Sequence, residues 1–415
     1  MTAGEPRHVA VLGAGIVGIC CALSLRRAGF AVTLVDRDAP SSGCSAGNAC
    51  VIATNGVLPL ASPALLARVP RMLFDRRSPL ALRWTYLPRF APWLLRFVAA
   101  AGSARRAASS AGLAALQRSA LQDHRELADA AGCGDLLRDG GWLHLFREQR
   151  NFLAARAGFA AERELGVQVE ELDAAGIAAR APALAARLRH GVFYPQSGWV
   201  LDARSYGERL AADLRARGAD LLRADVRALE PQAQGVRVLT DSGELHADAA
   251  VVALGAWSGR ICRQLGEPVP LDTERGYHVT LPRSRAELHM PAMIHEHKVV
   301  ATPTAGGLRL AGTVEFAGTQ APPDYRRARQ LLALAEELFD DLDSGDAGLW
   351  MGCRPTLPDS LPVLGASARH RGVYYAFGHQ HLGLTLAAVS GRLIAELLAD
   401  GRAAAALDAC RVDRF

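Results

Sequence analysis

The stretch HVAVLGAGIVGICCALSLRRAGFAVTLVD, running from His8 to Asp36, decides the fold. His8 to Leu12 is a short apolar run ending at a glycine. Ile16 to Ala28 carries apolar residues at helical spacing, and Ala31 to Val35 is a second apolar run that ends at Asp36. Strand, helix and strand in so short a span predict the opening of a parallel α/β sheet. The loop between the first strand and the helix reads Gly13-Ala14-Gly15-Ile16-Val17-Gly18. In a G-x-G-x-x-G loop the first glycine makes the turn, the second lets the backbone approach a pyrophosphate, and the third lets the helix pack on the sheet. The helix N-terminus then offers its partial positive charge to phosphate. Asp36, followed by Arg37, stands at the end of the second strand, where a carboxylate accepts hydrogen bonds from ribose hydroxyls. Cys20 and Cys21 fall inside the helix and read as small core residues.

Working outward, 415 residues are enough for two or three domains, and with half of them hydrophobic the chain is globular. The 47 basic residues exceed the 42 acidic ones only mildly, and no basic block marks a nucleic-acid arm, which argues against nucleic acid as a partner. The basic residues are almost entirely arginine. Eight cysteines, at positions 20, 21, 44, 50, 133, 262, 353 and 410, show neither zinc spacing nor a disulfide framework, so a reducing, cytoplasmic setting is expected. No stretch reaches the ~18 to 20 unbroken apolar residues of a spanning helix.

The nucleotide-binding sheet is expected to be interrupted after Asp36, because the chain enters the polar turn Ser41 to Asn48 where a third strand would stand. Residues 57–165 read mainly as helices, cut by prolines at 59, 63, 70, 79, 88 and 92. Asp241-Ser242-Gly243 marks a hairpin, and Ala249 to Leu254 is a buried-strand run ending at Gly255. The runs Tyr277 to Leu281, Lys298 to Pro303 and Leu308 to Val314 predict an antiparallel sheet, and Tyr325 to Asp340 a charged amphipathic helix. At the C-terminal end, Val373 to Phe377 reads as a strand, Gly378 to Gly383 as a loop and Leu384 to Leu398 as a helix, repeating the grammar of the opening.

Five segments occur in one order: the fingerprint, the Ser45-x-x-Asn48-Ala49 turn, Leu254-Gly255-Ala256-Trp257, Gly352-Cys353-Arg354-Pro355, and Gly378-His379-Gln380-His381-Leu382-Gly383. In this the chain resembles the D-amino-acid oxidase and dehydrogenase superfamily of FAD-dependent oxidoreductases. It is most similar to the bacterial D-amino-acid dehydrogenases, which include D-hydroxyproline dehydrogenases. The resemblance covers nearly the whole chain and implies an α/β fold: a Rossmann-like FAD-binding domain (1–56, 166–270 and 345–415) with a helical insertion (57–165) and an antiparallel-sheet α+β substrate domain (271–344). It implies that Ser45, Asn48 and Ala49 lie near the flavin, that Val226 serves the adenine side through its backbone, and that Gly255, Ala256 and Trp257 pass close to the cofactor. Where that turn usually ends in glycine this chain has Cys50, which tolerates positive φ poorly and places a thiol near the cofactor.

Hydride reduction leaves negative charge on the N1 and C2 carbonyl side of a flavin, which a helix N-terminus and converging donors stabilise. Gly378, Gln380, Gly383, Leu384 and Thr385 are expected to supply it, with His379 and His381 as donors. The pair His379-x-His381 has no third ligand nearby, so no metal is expected. A substrate carboxylate needs a fork of parallel N–H groups, and by the resemblance that group is Arg354. Tyr277 is expected to close over the substrate, with His278 on the opposite face of its strand. His295 and His297, flanking Glu296, are given no role.

The expected reaction is hydride transfer from the α-carbon of a small D-amino or D-imino acid, such as D-hydroxyproline, D-proline or D-alanine, to flavin N5. A neutral bound amine needs positioning more than a strong acid or base. The alternatives are a glycine- or sarcosine-type amine oxidase using oxygen, a flavin-binding subunit of a larger assembly, and a nicotinamide dehydrogenase. A dehydrogenase needs an acceptor such as the respiratory chain. Residues 57–101, with seven arginines against Asp75 and many aromatic and leucine side chains, have the composition of a segment lying on the inner face of the cytoplasmic membrane. The competing reading packs these helices on the protein or on a partner, a second copy of the chain included.

Overall fold

The computed structural model describes residues 7–75, 78–340, 342–401 and 404–415; Arg76 and Arg77 of the arginine-rich segment lie outside them. The opening forms as its periodicity predicts, with strand His8–Leu12, helix Ile16–Arg27 and strand Ala31–Asp36. These strands belong to a six-stranded sheet whose order is 220–223, 31–36, 8–12, 249–252, 373–377 and 363–366, parallel except for the last. The third parallel strand therefore arrives only at Asp220, after the chain has left and returned.

One layer over this sheet is made by the first helix and the helix Ala387–Asp400. They cross so closely that a Cβ on Gly391 would stand 2.5 Å from the Cys20 carbonyl oxygen. Cys20 and Cys21 are fully buried there, and burial pushes the Cys21 thiol up to about 12, as core residues behave. All eight cysteines are unpaired.

A nine-stranded mixed sheet forms the second lobe. Strand Asp272–Leu281 lies between Gly348–Thr356, at one end of the strand order, and Gly307–Phe316, all antiparallel, with Val299–Thr304 next. Strands from earlier in the chain, Trp142–Phe146, Glu170–Leu172 and His190–Tyr194, extend this sheet, so its membership runs well beyond 271–344. Its outer face packs on the helix Arg326–Leu338 through Val279, Leu310, Leu331 and Ala335. The helices Pro63–Phe74 and Leu87–Ala100 sit beside it, with Phe90 and Trp93 against Phe316 at ring separations of 4.2 and 5.5 Å.

Candidate active site

The two sheets enclose a cleft of about 1330 Å³. That exceeds the ~300 to 1,000 Å³ of a pocket for one drug-sized ligand and leaves room for a dinucleotide and a small substrate together.

At one end lies the fingerprint. Gly13, at φ 111, adopts a conformation that favours glycine, and a Cβ there would stand 2.4 Å from the Ala253 carbonyl oxygen. A Cβ on Gly18 would stand 1.8 Å from the Gly13 oxygen, so this glycine packs helix on strand and does not line the cleft. Gly15 differs from both: a Cβ there would meet only the Ser45 hydroxyl, at 3.4 Å, and would otherwise point into open space. That is the cradle a pyrophosphate needs, and Gly13, Ala14, Ile16 and Val17 line it too. Asp36 accepts from the amides of Ala14 (2.6 Å) and Asp38 (2.9 Å), which fixes its carboxylate at the cleft edge. Beside it Arg37 lies 4.6 Å over the Trp257 ring, and Val226, Gly255 and Ala256 complete this end. These residues fit the phosphates and adenosine of FAD.

The Ser45 turn is fastened from both lobes. Ser45 Oγ accepts from the Ile16 amide at 2.9 Å. From the second sheet, Arg309 donates to the carbonyls of Ala46 and Asn48, Thr302 to that of Ala49, and His278 approaches that of Gly47. Trp350 stacks on His278 at 5.0 Å and fills the space a side chain on Gly47 would need. Ser45, Asn48 and Ala49 line the cleft. Cys50 does not: it is fully buried at φ 66, a left-handed conformation held by the Asn48 side chain accepting from its amide at 2.8 Å. Cys44 is the thiol of this turn that lines the cleft, and burial pushes it up to about 11.

Arg354 lies on the floor, where Gly276 makes room: a Cβ there would stand 2.1 Å from the guanidinium carbon. Its Nη1 donates to the Thr313 carbonyl at 3.1 Å, and Thr313 itself has φ 60. Among the described residues no carboxylate comes within ion-pair distance of Arg354. Glu274, one step along the strand on the same face, is bound by His381 Nε2 (2.7 Å) and Thr356 (3.0 Å). Burial works to raise its pKa, but His381, Arg354 and Thr356 together hold it below the usual carboxylate range.

Strand alternation puts Tyr277 on the outer face, away from the cleft. Its hydroxyl donates to Glu315 at 2.6 Å and accepts from the Asp324 amide, so it cannot close over a ligand in the cleft.

The C-terminal loop meets the cleft with His379, Gln380, His381, Gly383, Leu384 and Thr385, whereas Gly378, at φ 83, packs against Leu357 and stays outside. The long helix begins at Ala387 rather than Leu384, and a short 3₁₀ turn at Gln380–Leu382 precedes it. His379 is buried and neutral, with burial taking its pKa to about 3, and its Nε2 is 3.0 Å from Ser390. His379 and His381 therefore both have protein partners already. His124 supports the loop from behind, between Tyr206 and the Leu384 carbonyl.

Sequence reasoning misses a third region of the cleft, lined by His144, Glu162, Met293, Glu296, His297, Lys298 and Val300. His295 to Lys298 form a turn between strands, not a strand face, so Glu296 and His297 reach the cleft together. The available signal was compositional: Lys298 is the chain's one lysine. Among the described residues no group of acidic, histidine and cysteine side chains is arranged to hold a metal ion.

A nucleotide cradle at the edge of a parallel sheet, opening onto an arginine-floored cleft beneath a second sheet, defines an oxidoreductase of the two-lobed flavoprotein class. The family model for FAD-dependent oxidoreductases, DAO, matches residues 8–397, and the chain belongs to that family. It is 38% identical over 402 residues to a D-amino-acid oxidase of Bradyrhizobium diazoefficiens, covering 95% of each chain. It is 32% identical over 413 residues to a D-amino acid dehydrogenase of Granulibacter bethesdensis, covering 95% of this chain and 96% of the other. In fold it is similar to glycine oxidase from Geobacillus kaustophilus, with a TM-score of 0.73, 21% identity and 99% of each chain covered.

Proposed function

We propose that this FAD-dependent enzyme is a dehydrogenase oxidising small D-amino or D-imino acids, with D-alanine, D-proline and D-hydroxyproline as candidates. The observation that carries this is Arg354: a guanidinium on the cleft floor, tethered by one backbone bond and without an ion-pair partner among the described residues. Such a fork binds a carboxylate through two charge-assisted hydrogen bonds. The names of the relatives support the D-amino-acid reading.

Bound FAD supplies a two-electron acceptor to this cleft. Arg354 holds the substrate by its carboxylate and so fixes which hydrogen of the α-carbon faces the acceptor. Val300 and Met293 give the side chain an apolar wall. With FAD bound, the amides of Gly383, Leu384 and Thr385, which line the cleft, would stabilise negative charge gained by the flavin on reduction. Electrons leave to an acceptor such as the respiratory chain, and the segment 57–101 is the part of the surface suited to reach it. Phe74, Trp84 and Leu95 are 80, 56 and 72% exposed there, among the exposed Arg68, Arg71, Arg83, Arg89 and Arg96. No helix among the described residues is long and apolar enough to cross a membrane.

The test is an anaerobic screen of D- and L-amino acids, D-proline derivatives, glycine and sarcosine against the holoenzyme, followed by bleaching of the flavin. Bleaching by D-enantiomers is expected; bleaching by glycine and sarcosine alone would favour the amine-oxidase alternative.

A further inference from the structure

Of the 47 basic residues, Lys298 alone is lysine. It lies in the turn between strands Ala292–Ile294 and Val299–Thr304, at φ 53, and lines the cleft. Arginine serves every other basic position, the ion pairs included, so charge alone does not account for a lysine here. What lysine adds is the ability to lose its proton when desolvated, which a guanidinium in a protein does not do.

The surroundings favour that loss. Lys298 Nζ is 2.9 Å from His295 Nε2. Burial first, then the charges of Lys298 and Arg68, take His295 down to about 3, so its ring is neutral and Nε2 accepts from the amine. Lys298 itself is exposed to the open cleft; the protein packed around its amine, then Arg68 from the helix Pro63–Phe74, outweigh Glu296 and bring it down to about 8. The other titratable groups around it are His297 of the same turn, His144 of strand Trp142–Phe146, and Glu162 of the helix Gln149–Glu164. His144 is held neutral by burial, and its Nε2 is buried without a hydrogen-bond partner, as is Glu296 Oε2. This end of the cleft is thus built for a polar ligand atom that the chain does not provide.

Lys298 and Arg354 reach the strand Gly307–Phe316 from its two sides. Arg354 donates to the Thr313 carbonyl, and the Lys298 carbonyl oxygen lies 3.1 Å from where a Cβ on Gly312 would stand. Arg354 and the backbone of Lys298 thus flank Gly312-Thr313, and both residues line the cleft.

We propose that Lys298 is the proton acceptor of the cleft: its neutral amine takes the proton that the substrate's α-ammonium must lose before the α-carbon can be oxidised. In this step an N–H bond of the ammonium breaks, an N–H bond forms on Nζ, and the electron pair stays on the substrate nitrogen, so no oxidant is consumed. The inference rests on the amino-acid reading above.

The experiment has two arms, both on the holoenzyme. Trinitrobenzenesulfonate labelling, resolved by peptide mass, reads the only ε-amine in the chain; half-maximal reactivity is expected near pH 8, and a midpoint near the ordinary lysine value of ~10.4 overturns the proposal. Anaerobic stopped-flow then gives the limiting rate of flavin bleaching against pH for wild type, Lys298→Arg and Lys298→Met at equal FAD content. Wild type is expected to slow about tenfold per pH unit below about 8, and both variants to lose about 10²-fold or more at pH 7. If Lys298→Arg keeps the wild-type rate and pH profile, Lys298 acts through charge alone and the proposal fails. If no amino acid bleaches even the wild type, the amino-acid reading fails, while the labelling arm still reports the protonation of Lys298.

Discussion

Replacing Gly276 with alanine perturbs the carboxylate anchor without touching it chemically. A Cβ at this position would stand 2.1 Å from the Arg354 guanidinium carbon, where ordinary contact begins at 3.4 Å, so the fork must retreat by at least about 1.3 Å. Gly276 has no left-handed backbone to strain, and the obstructing atoms are the far end of a flexible side chain, so the fold should accept the methyl group. A misplacement of ~1 Å costs on the order of 10²-fold in rate, about 2.7 kcal/mol. The assay is kcat/KM with the best D-substrate, alongside FAD content and melting temperature. Gly276→Ala should lose about 10²-fold in kcat/KM with FAD retained. Arg354→Lys, which keeps the charge and loses the fork, should cost about 2 to 4 kcal/mol. Because both changes act through the same group, the double variant should be little worse than Arg354→Lys alone. Additive losses, or a Gly276→Ala enzyme within twofold of wild type, would refute the placement of the substrate over Arg354.

The glycine loop separates binding from folding. Gly15→Val should give folded apoprotein, since the side chain projects into open space, whereas Gly18→Ala should lower stability by several kcal/mol because its methyl meets the Gly13 carbonyl; the readouts are flavin absorbance and urea unfolding. Burial takes His124 and His278 to about 4 and His295 and His379 to about 3. An unfolded histidine titrates near ~6.5, so below that pH the unfolded chain gains protons the folded one refuses. Stability should therefore fall with pH from about 6.5 to about 4, by at most about 1.4 kcal/mol per unit for each group, and equal urea midpoints at pH 7.5 and 5 would contradict this. Flotation with anionic liposomes at low salt should retain wild type and lose the quadruple variant Arg68→Gln, Arg71→Gln, Arg89→Gln and Arg96→Gln, each arginine contributing about 1 kcal/mol; equal flotation would return the segment to packing.

The parts of this account that were legible in the sequence are local ones. The first strand, helix and strand, the hairpin at Asp241-Ser242-Gly243 and the strand Val373–Phe377 follow from periodicity and turn chemistry within a few residues. Strand Trp142–Phe146 pairs with Ala292–Ile294, about 150 residues away, and no local pattern announces such a partner. Tyr277 illustrates a sharper limit. Alternation along its strand is readable, but which face meets the cleft depends on Arg354 lying over Gly276 from the next strand. Cys50 shows the reverse: the strain expected of a non-glycine residue is present at φ 66, but the Asn48 side chain supports it and the thiol turns into the core. The Lys298 turn was missed because alternate histidines resemble a solvated strand face, and only the absence of any other lysine sets it apart.

The most direct test of the central claim is anaerobic reduction of the purified holoenzyme by enantiomeric pairs of small amino acids and proline derivatives. The account predicts a yellow protein whose flavin is bleached by the D-member of a pair and not by the L-member, with the effect lost in Arg354→Lys at the same FAD content. Bleaching that ignores configuration, or that survives loss of the fork at full rate, would contradict it.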